Sequence, residues 1–259
     1  LLWKIKAGGI IVVNIKNVML GEGRPKICVP IVAVTKKEIL DEARVAAQSL
    51  TDIVEWRVDF YEDITNVEQV SATIREISEI LSDKALLCTF RSKHEGGERE
   101  LDSAAYTMMY KNIIDTGFAD AIDIELFMGE EVAGELIAIA HKNDIKVIMS
   151  NHDFDKTPES NEIKKRLLKM EELGADVAKM AVMPNSKDDV LRLMSVTQEV
   201  KKEIKVPVVT MSMGKLGVVS RMAGELFGSD MTFATVTKAS APGQIEIDKL
   251  KEIIDIIHT

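Results

Sequence analysis

Eight times along the chain a short apolar run gives way to a segment with apolar residues at i, i+3 and i+4. That alternation limits the fold more than any other feature. The runs cover residues 26–34, 52–60, 85–92, 121–127, 145–154, 176–183, 207–213 and 231–237. The helical segments cover 36–50, 67–81, 103–116, 130–142, 159–173, 187–203, 217–227 and 247–258, with Gly117 and Gly174 closing two of them. Strands alternating with helices make a parallel sheet covered by helices. Eight such units in 259 residues are the arithmetic of a (β/α)8 TIM barrel, an α/β fold. A doubly wound open sheet is the alternative, but no Gly-x-Gly-x-x-Gly follows the first run and such sheets hold about five or six strands.

Residues 1–22 stand outside the repeat. A short hairpin is expected over residues 8–20, placed to close the bottom of the barrel. No Pro/Ser/Gly tract divides the rest, so residues 1–259 read as one domain. The amino end, Leu1-Leu2-Trp3-Lys4, lacks an initiating methionine and a signal peptide's apolar core, and reads as a fragment start or processed end.

Hydrophobic residues at 46% and charged residues at 29%, with no apolar stretch near membrane-spanning length, describe a soluble globule and exclude a membrane protein. The formal charge is 33 minus 42, or −9, and no Lys/Arg cluster gathers with aromatics, which argues against nucleic acid. An acidic ligand would have to be held by local arginines. Cys28 and Cys88 each lie in a strand-like run and read as reduced core thiols of a cytosolic protein. His94, His141, His152 and His258 are too scattered for a metal site.

In a barrel, functional groups belong at the carboxyl ends of strands, and the unusual residues fall there. Lys179 lies in the apolar run 176–183. A buried ammonium must be tightly paired or must lose its proton, so Lys179 is either a counter-ion to Asp123 or Glu125, or an amine kept for nucleophilic attack. His152 ends the preceding run, 27 residues earlier, close enough across neighbouring strands to share a hydrogen bond. A neutral lysine beside a histidine can attack a ketone and move protons on the adjacent carbon.

Glu55, Arg57 and Asp59 alternate along the second run and share one face, inward in a covered parallel barrel. Asp123 and Glu125 do the same on the fourth, as catalytic groups or as an ion-pair network. Arg91 leaves the third run, placed to grip hydroxyls or a carboxylate or simply to be solvated. Glu95 follows it, as a surface carboxylate or a partner for a histidine. The last two loops carry glycines that suit a phosphate cradle, yet Arg221 falls one turn into a helix and the segment 238–244 reads as a lid with Ser240 and Gln244 as polar fingers.

Taken together, certain of these residues follow a known order. Asp123-Ile124-Glu125-Leu126 is followed, after twenty residues, by Val147-Ile148-Met149-Ser150-Asn151-His152-Asp153. Around this pair stand Glu55-Trp56-Arg57, Thr89-Phe90-Arg91, Ala178-Lys179, Ser220-Arg221 and Ser240-Ala241-Pro242-Gly243-Gln244. From about Gly23 to the carboxyl end the chain resembles the type I 3-dehydroquinate dehydratases of the shikimate pathway. The resemblance implies dehydration of 3-dehydroquinate to 3-dehydroshikimate, a step of aromatic amino acid biosynthesis. It makes Lys179 the Schiff-base nucleophile, His152 the general acid/base and Glu95 the histidine's partner. Arg221 would bind the substrate carboxylate, Glu55, Arg57 and Arg91 the ring hydroxyls, and Ser240 and Gln244 would reach in from the lid. A cytoplasmic homodimer without metal or cofactor is implied as well. Read from residues alone, a sugar-phosphate aldolase of the Schiff-base class and a noncatalytic binder of a small acid remain rivals.

Overall fold

The structure, a computed structural model, describes residues 4–5 and 11–258. Three short strands come first: β1 (Lys4–Ile5), β2 (Ile11–Ile15) and β3 (Val18–Leu20). The barrel strands are β4 (Lys26–Ile31), β5 (Ile53–Arg57), β6 (Ala85–Thr89), β7 (Ala121–Glu125), β8 (Lys146–Asp153), β9 (Val177–Val182), β10 (Val208–Ser212) and β11 (Met231–Thr235), one for each predicted run. A two-residue strand, β12 (Ile245–Glu246), pairs in parallel with β11 and is too short to leave a periodic trace in the sequence.

The helices are α1 (Lys36–Ala47), α2 (Val67–Leu81), α3 (Ser103–Asp115), α4 (Glu130–Lys142), α5 (Ser160–Glu172), α6 (Lys187–Val200), α7 (Val218–Met222), α8 (Gly224–Phe227) and α9 (Ile247–Ile257). Thr35 with Glu38, and Ser186 with Asp189, form capping boxes on α1 and α6, each worth about 1 kcal/mol. The helix expected over 217–227 is in fact two. It breaks at Ala223, before Gly224, a poor helix former whose carbonyl accepts the Ser229 N–H instead.

The parallel ladder runs β10-β9-β8-β7-β6-β5-β4-β11. At the entrance of every second strand stands an aspartate that makes the same reciprocal pair. Asp52, Asp120, Asp176 and Asp230 donate their N–H to the carbonyls of Ile27, Leu86, Val147 and Val208 at 2.7–3.0 Å. Their side-chain Oδ2 atoms accept the N–H of those same four residues at 2.7–2.8 Å. The last pair joins β11 to β10, the two ends of the ladder, and so sits at the seam that closes the barrel.

The interior is layered. The hairpin of β2 and β3 turns Val13, Ile15, Val18 and Leu20 into one apolar cluster with Cys28, Ile53, Ala85, Leu87, Ala121, Ile148, Val177 and Met231, residues at or near the entrances of their strands. The expected plug at the lower mouth is therefore present from residue 11 to residue 20; residues 8–10 lie outside the described residues. Burying each such side chain stabilises by about 1.5–3 kcal/mol. The Val29, Trp56, Ile122, Met149 and Met180 side chains belong instead to the larger cluster between sheet and helices.

Several strands stop earlier than their apolar runs suggest. β5, β6 and β7 end at Arg57, Thr89 and Glu125, and a turn of 3-10 helix follows each: Val58–Phe60, Lys93–Glu95 and Leu126–Met128. Asp59 thus does not extend the inward face of β5. It turns back on Arg57.

Candidate active site

All nine residues singled out from the sequence, namely Glu55, Arg57, Arg91, Glu95, His152, Lys179, Arg221, Ser240 and Gln244, line one pocket at the carboxyl ends of the strands. Phe154, Ala181, Met211, Met213 and Phe233 supply its apolar wall.

Lys179 projects inward from β9 and is 3% exposed. Its Nζ donates to Asp123 Oδ2 at 3.0 Å, lies 3.8 Å from Glu55 Oε1 and sits 4.7 Å from the centroid of the Phe233 ring. The two sequence readings of this lysine therefore meet in one residue, which is an ion-pair partner and also a wall of the pocket. Among the described residues it makes no hydrogen bond with His152, contrary to the pairing expected from adjacent strands. The amine is engaged by Asp123 and the imidazole by Glu95.

Arg91 organises the carboxylates. Nη2 donates to Asp123 Oδ1 at 2.8 Å, and Nη1 donates to Glu125 Oε1 at 2.9 Å and to Ser150 Oγ at 3.0 Å. Burial pushes the Asp123 carboxyl up, but Arg91, Lys179 and the Ser150 hydroxyl prevail and hold it at about 2. Tyr110 and Tyr106, buried on α3, fix the backbone here. Tyr110 donates to the Asp123 carbonyl and accepts the Phe90 N–H, and Tyr106 accepts the Glu125 N–H at 3.1 Å.

Arg57 is held by Asp59 through two parallel bonds, Nε to Oδ1 at 2.8 Å and Nη2 to Oδ2 at 2.7 Å. Asp59 also accepts the N–H groups of Arg91 at 3.3 Å and Glu98 at 3.2 Å, so it ties the end of β5 to the loop that carries Glu95. That loop passes so close to β6 that a Cβ on Gly97 would lie 1.9 Å from the Arg91 carbonyl oxygen.

Glu95 is buried, at 4% exposure, and is not the surface carboxylate that its loop position suggests. Its Oε2 faces His152 Nδ1 at 2.8 Å and accepts the His152 N–H at 2.9 Å; its Oε1 accepts Asn151 Nδ2 at 2.9 Å. Burial pushes this carboxyl up to about 8, against the pull of Arg91. Burial, with Arg91, Lys179 and Arg57 nearby, holds the imidazole well below its ordinary range. Because the two groups share a hydrogen bond, a proton taken up by the raised carboxyl bears directly on the imidazole.

Arg221 is different from the other two arginines because, among the described residues, no carboxylate meets it. It is 1% exposed, its Nη2 donates to the Pro242 carbonyl at 3.1 Å, its Nη1 approaches Met211 Sδ at 3.5 Å, and its buried Nε has no partner among the described residues. Burial alone lowers it to about 10. The segment that carries Pro242 also meets the β10–α7 loop: Pro242 accepts the Gly214 N–H at 3.1 Å, and a Cβ on Gly243 would come within 2.5 Å of the Gly214 carbonyl oxygen. Ser240 and Gln244 line the pocket while bonded to each other, Ser240 N–H to Gln244 Oε1 at 2.9 Å and Gln244 Nε2 to Ser240 Oγ at 3.1 Å.

The sequence profile of the type I 3-dehydroquinase family matches residues 27–259. The chain belongs to that family. Among its relatives, the 3-dehydroquinate dehydratase of Clostridium novyi (strain NT) is 51% identical over 95% of this chain and 98% of its own. That of Clostridioides difficile (strain 630) is 48% identical over 95% and 97%. A crystal structure of the type I 3-dehydroquinate dehydratase from Clostridium difficile with covalent modified comenic acid superposes with a TM-score of 0.93 at 48% identity, covering 95% of this chain and 98% of that one.

In this member of the type I 3-dehydroquinase family, several pocket-side residues carry no sequence signal of their own. Phe233 reads only as one more apolar residue in a strand. Ser150, Thr89 and Asn151 lie within the motifs quoted above, on β6 and β8, but the motifs do not tell which side chains they orient.

Proposed function

We propose that the chain dehydrates 3-dehydroquinate to 3-dehydroshikimate, with Lys179 as the Schiff-base amine and the His152–Glu95 pair as general acid and base. One observation carries this reading. A buried amine shares its pocket with a neutral imidazole and with an arginine that lacks an anion. The covalently modified ligand of the C. difficile relative favours a covalent route here too.

Lys179 adds to the ketone and water leaves, giving an iminium that draws electrons from the neighbouring carbon. His152 removes the proton from that carbon to give an enamine, then returns it to the β-hydroxyl as the C–O bond breaks. A second water hydrolyses the conjugated iminium and frees Lys179, so one molecule of water is lost overall. Glu95 accepts from Nδ1, which leaves Nε2 to act in the pocket. Each transfer by a positioned imidazole supplies about 10²- to 10⁴-fold. Arg221 takes the carboxylate, Glu55, Arg57 and Arg91 surround the ring hydroxyls, and Ser240 and Gln244 close over the ligand.

Borohydride in the presence of 3-dehydroquinate tests the route. The parent should lose activity and gain the mass of reduced adduct on Lys179. Lys179→Ala should neither turn over nor trap, and His152→Ala should trap without forming product. Adduct on another lysine would overturn the assignment. The same reading carries a cytoplasmic, single-domain enzyme acting as a homodimer. The buried thiols Cys28 and Cys88 suit a reducing compartment, and sedimentation at working concentration checks the dimer.

A further inference from the structure

We propose that Asn151 and Arg166 are positioning residues that dictate which ring nitrogen of His152 carries the proton. The inference rests on the reading of His152 as the base and extends it outward to α5. Arg166 has only donors to offer. Its Nη1 donates to Asn151 Oδ1 at 2.9 Å, while its Nε donates to Glu162 Oε1 at 2.7 Å and its guanidinium lies 5.1 Å from the centroid of the Phe127 ring. The guanidinium is thus held from two further sides, and it forces the carbonyl end of the Asn151 amide toward α5. The amide's Nδ2 must then face Glu95, where it donates to Oε1 at 2.9 Å.

With Oε1 occupied, Oε2 is the oxygen left for His152, and it already accepts the His152 N–H at 2.9 Å. A carboxylate oriented by two N–H donors is an acceptor at both oxygens. Besides Arg91 Nη1 at 3.6 Å, it faces His152 Nδ1 at 2.8 Å, which must therefore donate. The ring proton is fixed on Nδ1 and the lone pair on Nε2. The direction of one amide, set 15 residues away on a helix, decides whether the ring can act as a base.

The charged groups facing the pair are Arg91 beyond β6, Asp123 and Glu125 on β7, Lys179 on β9 and Arg57 on β5. Substitution at position 151 leaves all of them in place. Asn151→Asp is the discriminating variant, because it keeps the shape and the bond to Arg166 but turns an oxygen instead of an N–H toward Glu95. Loss of that donor makes the pair bind its proton more tightly, so the base form appears at higher pH. The rising limb of the kcat–pH profile should move up by about one unit and kcat at pH 7 should fall about tenfold, with KM within about twofold. Arg166→Met should move the limb in the same direction by less, and Arg166→Lys should restore it.

Long-range nitrogen-15 correlation spectra of His152 give a second readout. Above about pH 9, where Glu95 is ionised, the parent should show the Nδ1–H form alone, and Asn151→Asp a mixture or the opposite form. A limb and a tautomer both unchanged in a folded Asn151→Asp protein would refute the relay. If the parent failed to dehydrate 3-dehydroquinate, the functional reading would fall, while the tautomer measurement would still decide the relay by itself.

Discussion

Lys179 Nζ sits 3.0 Å from one oxygen of Asp123 while Arg91 holds the other oxygen at 2.8 Å, so a single buried anion serves two buried cations. Replacing it with a neutral group leaves Arg91 to Glu125 and Lys179 to Glu55 at 3.8 Å, and removes the anion that each cation meets most closely. Asp123→Asn should destabilise the protein at pH 7 by about 3 kcal/mol or more in urea unfolding. The folded carboxyl lies at about 2, below the ordinary 3.8, so its contribution is present above pH 4 and is lost as pH falls through 2. Wild type should therefore lose about 2 kcal/mol between pH 4 and 2 that the variant does not. Parallel acid limbs would show that the ion pairs contribute nothing.

Burial pushes the Glu95 carboxyl up to about 8, and a proton there would be donated to His152 Nδ1 and take away the base form of the ring. Turnover should rise with pH along a limb centred near 8. Glu95→Gln should lower kcat by about 10²-fold, since the amide can present an N–H to Nδ1 and turn the ring the wrong way. A pH–rate profile of both proteins checks this, and an unaltered limb in the variant would place the titrating group elsewhere.

Arg221 makes the opposite trade. Among the described residues no carboxylate pairs with it, so Arg221→Met should leave stability unchanged or raise it by about 1 kcal/mol. The same change should raise KM roughly 10- to 100-fold by removing a charge-assisted contact to a carboxylate. Thermal unfolding and steady-state kinetics on one preparation measure both. A variant that is destabilised with KM intact would mark Arg221 as structural.

Asp230 pairs with Val208 at the barrel seam, where no ladder joins β10 to β11, and it also accepts from Lys201. Asp230→Ala should cost about 1–3 kcal/mol through the unpaired Val208 N–H and the loss of the seam contact. Hydrogen exchange should quicken first along β10. Exchange that quickens evenly around the barrel would mean that the seam is no weaker than its neighbours.

Periodicity made the eight units legible because each inward or helix-facing position is apolar for a simple reason of burial. It misjudged strand ends for a reason just as physical. Residues such as Val58 and Leu126 are apolar because a 3-10 turn tucks them toward a helix, and an apolar pattern does not tell that turn from one more strand residue. The pocket was legible through oddities, a lysine and a histidine where apolar residues belong, and through the family's order of motifs. What stayed hidden were residues with ordinary side chains in ordinary places. Asn151 and the four strand-entrance aspartates act through the direction in which an amide or carboxylate points, which only coordinates reveal.

The hairpin bearing Val13, Ile15, Val18 and Leu20 stoppers the lower mouth with hydrocarbon. Among the described residues, the pocket that holds Lys179 is lined at its other end by Ser240, Ala241 and Gln244, and a ligand of that pocket passes them. Substrate, expelled water and product must share that passage in turn. Traffic through it, and not the chemistry at Lys179, becomes a natural place for the rate of the whole cycle to be set.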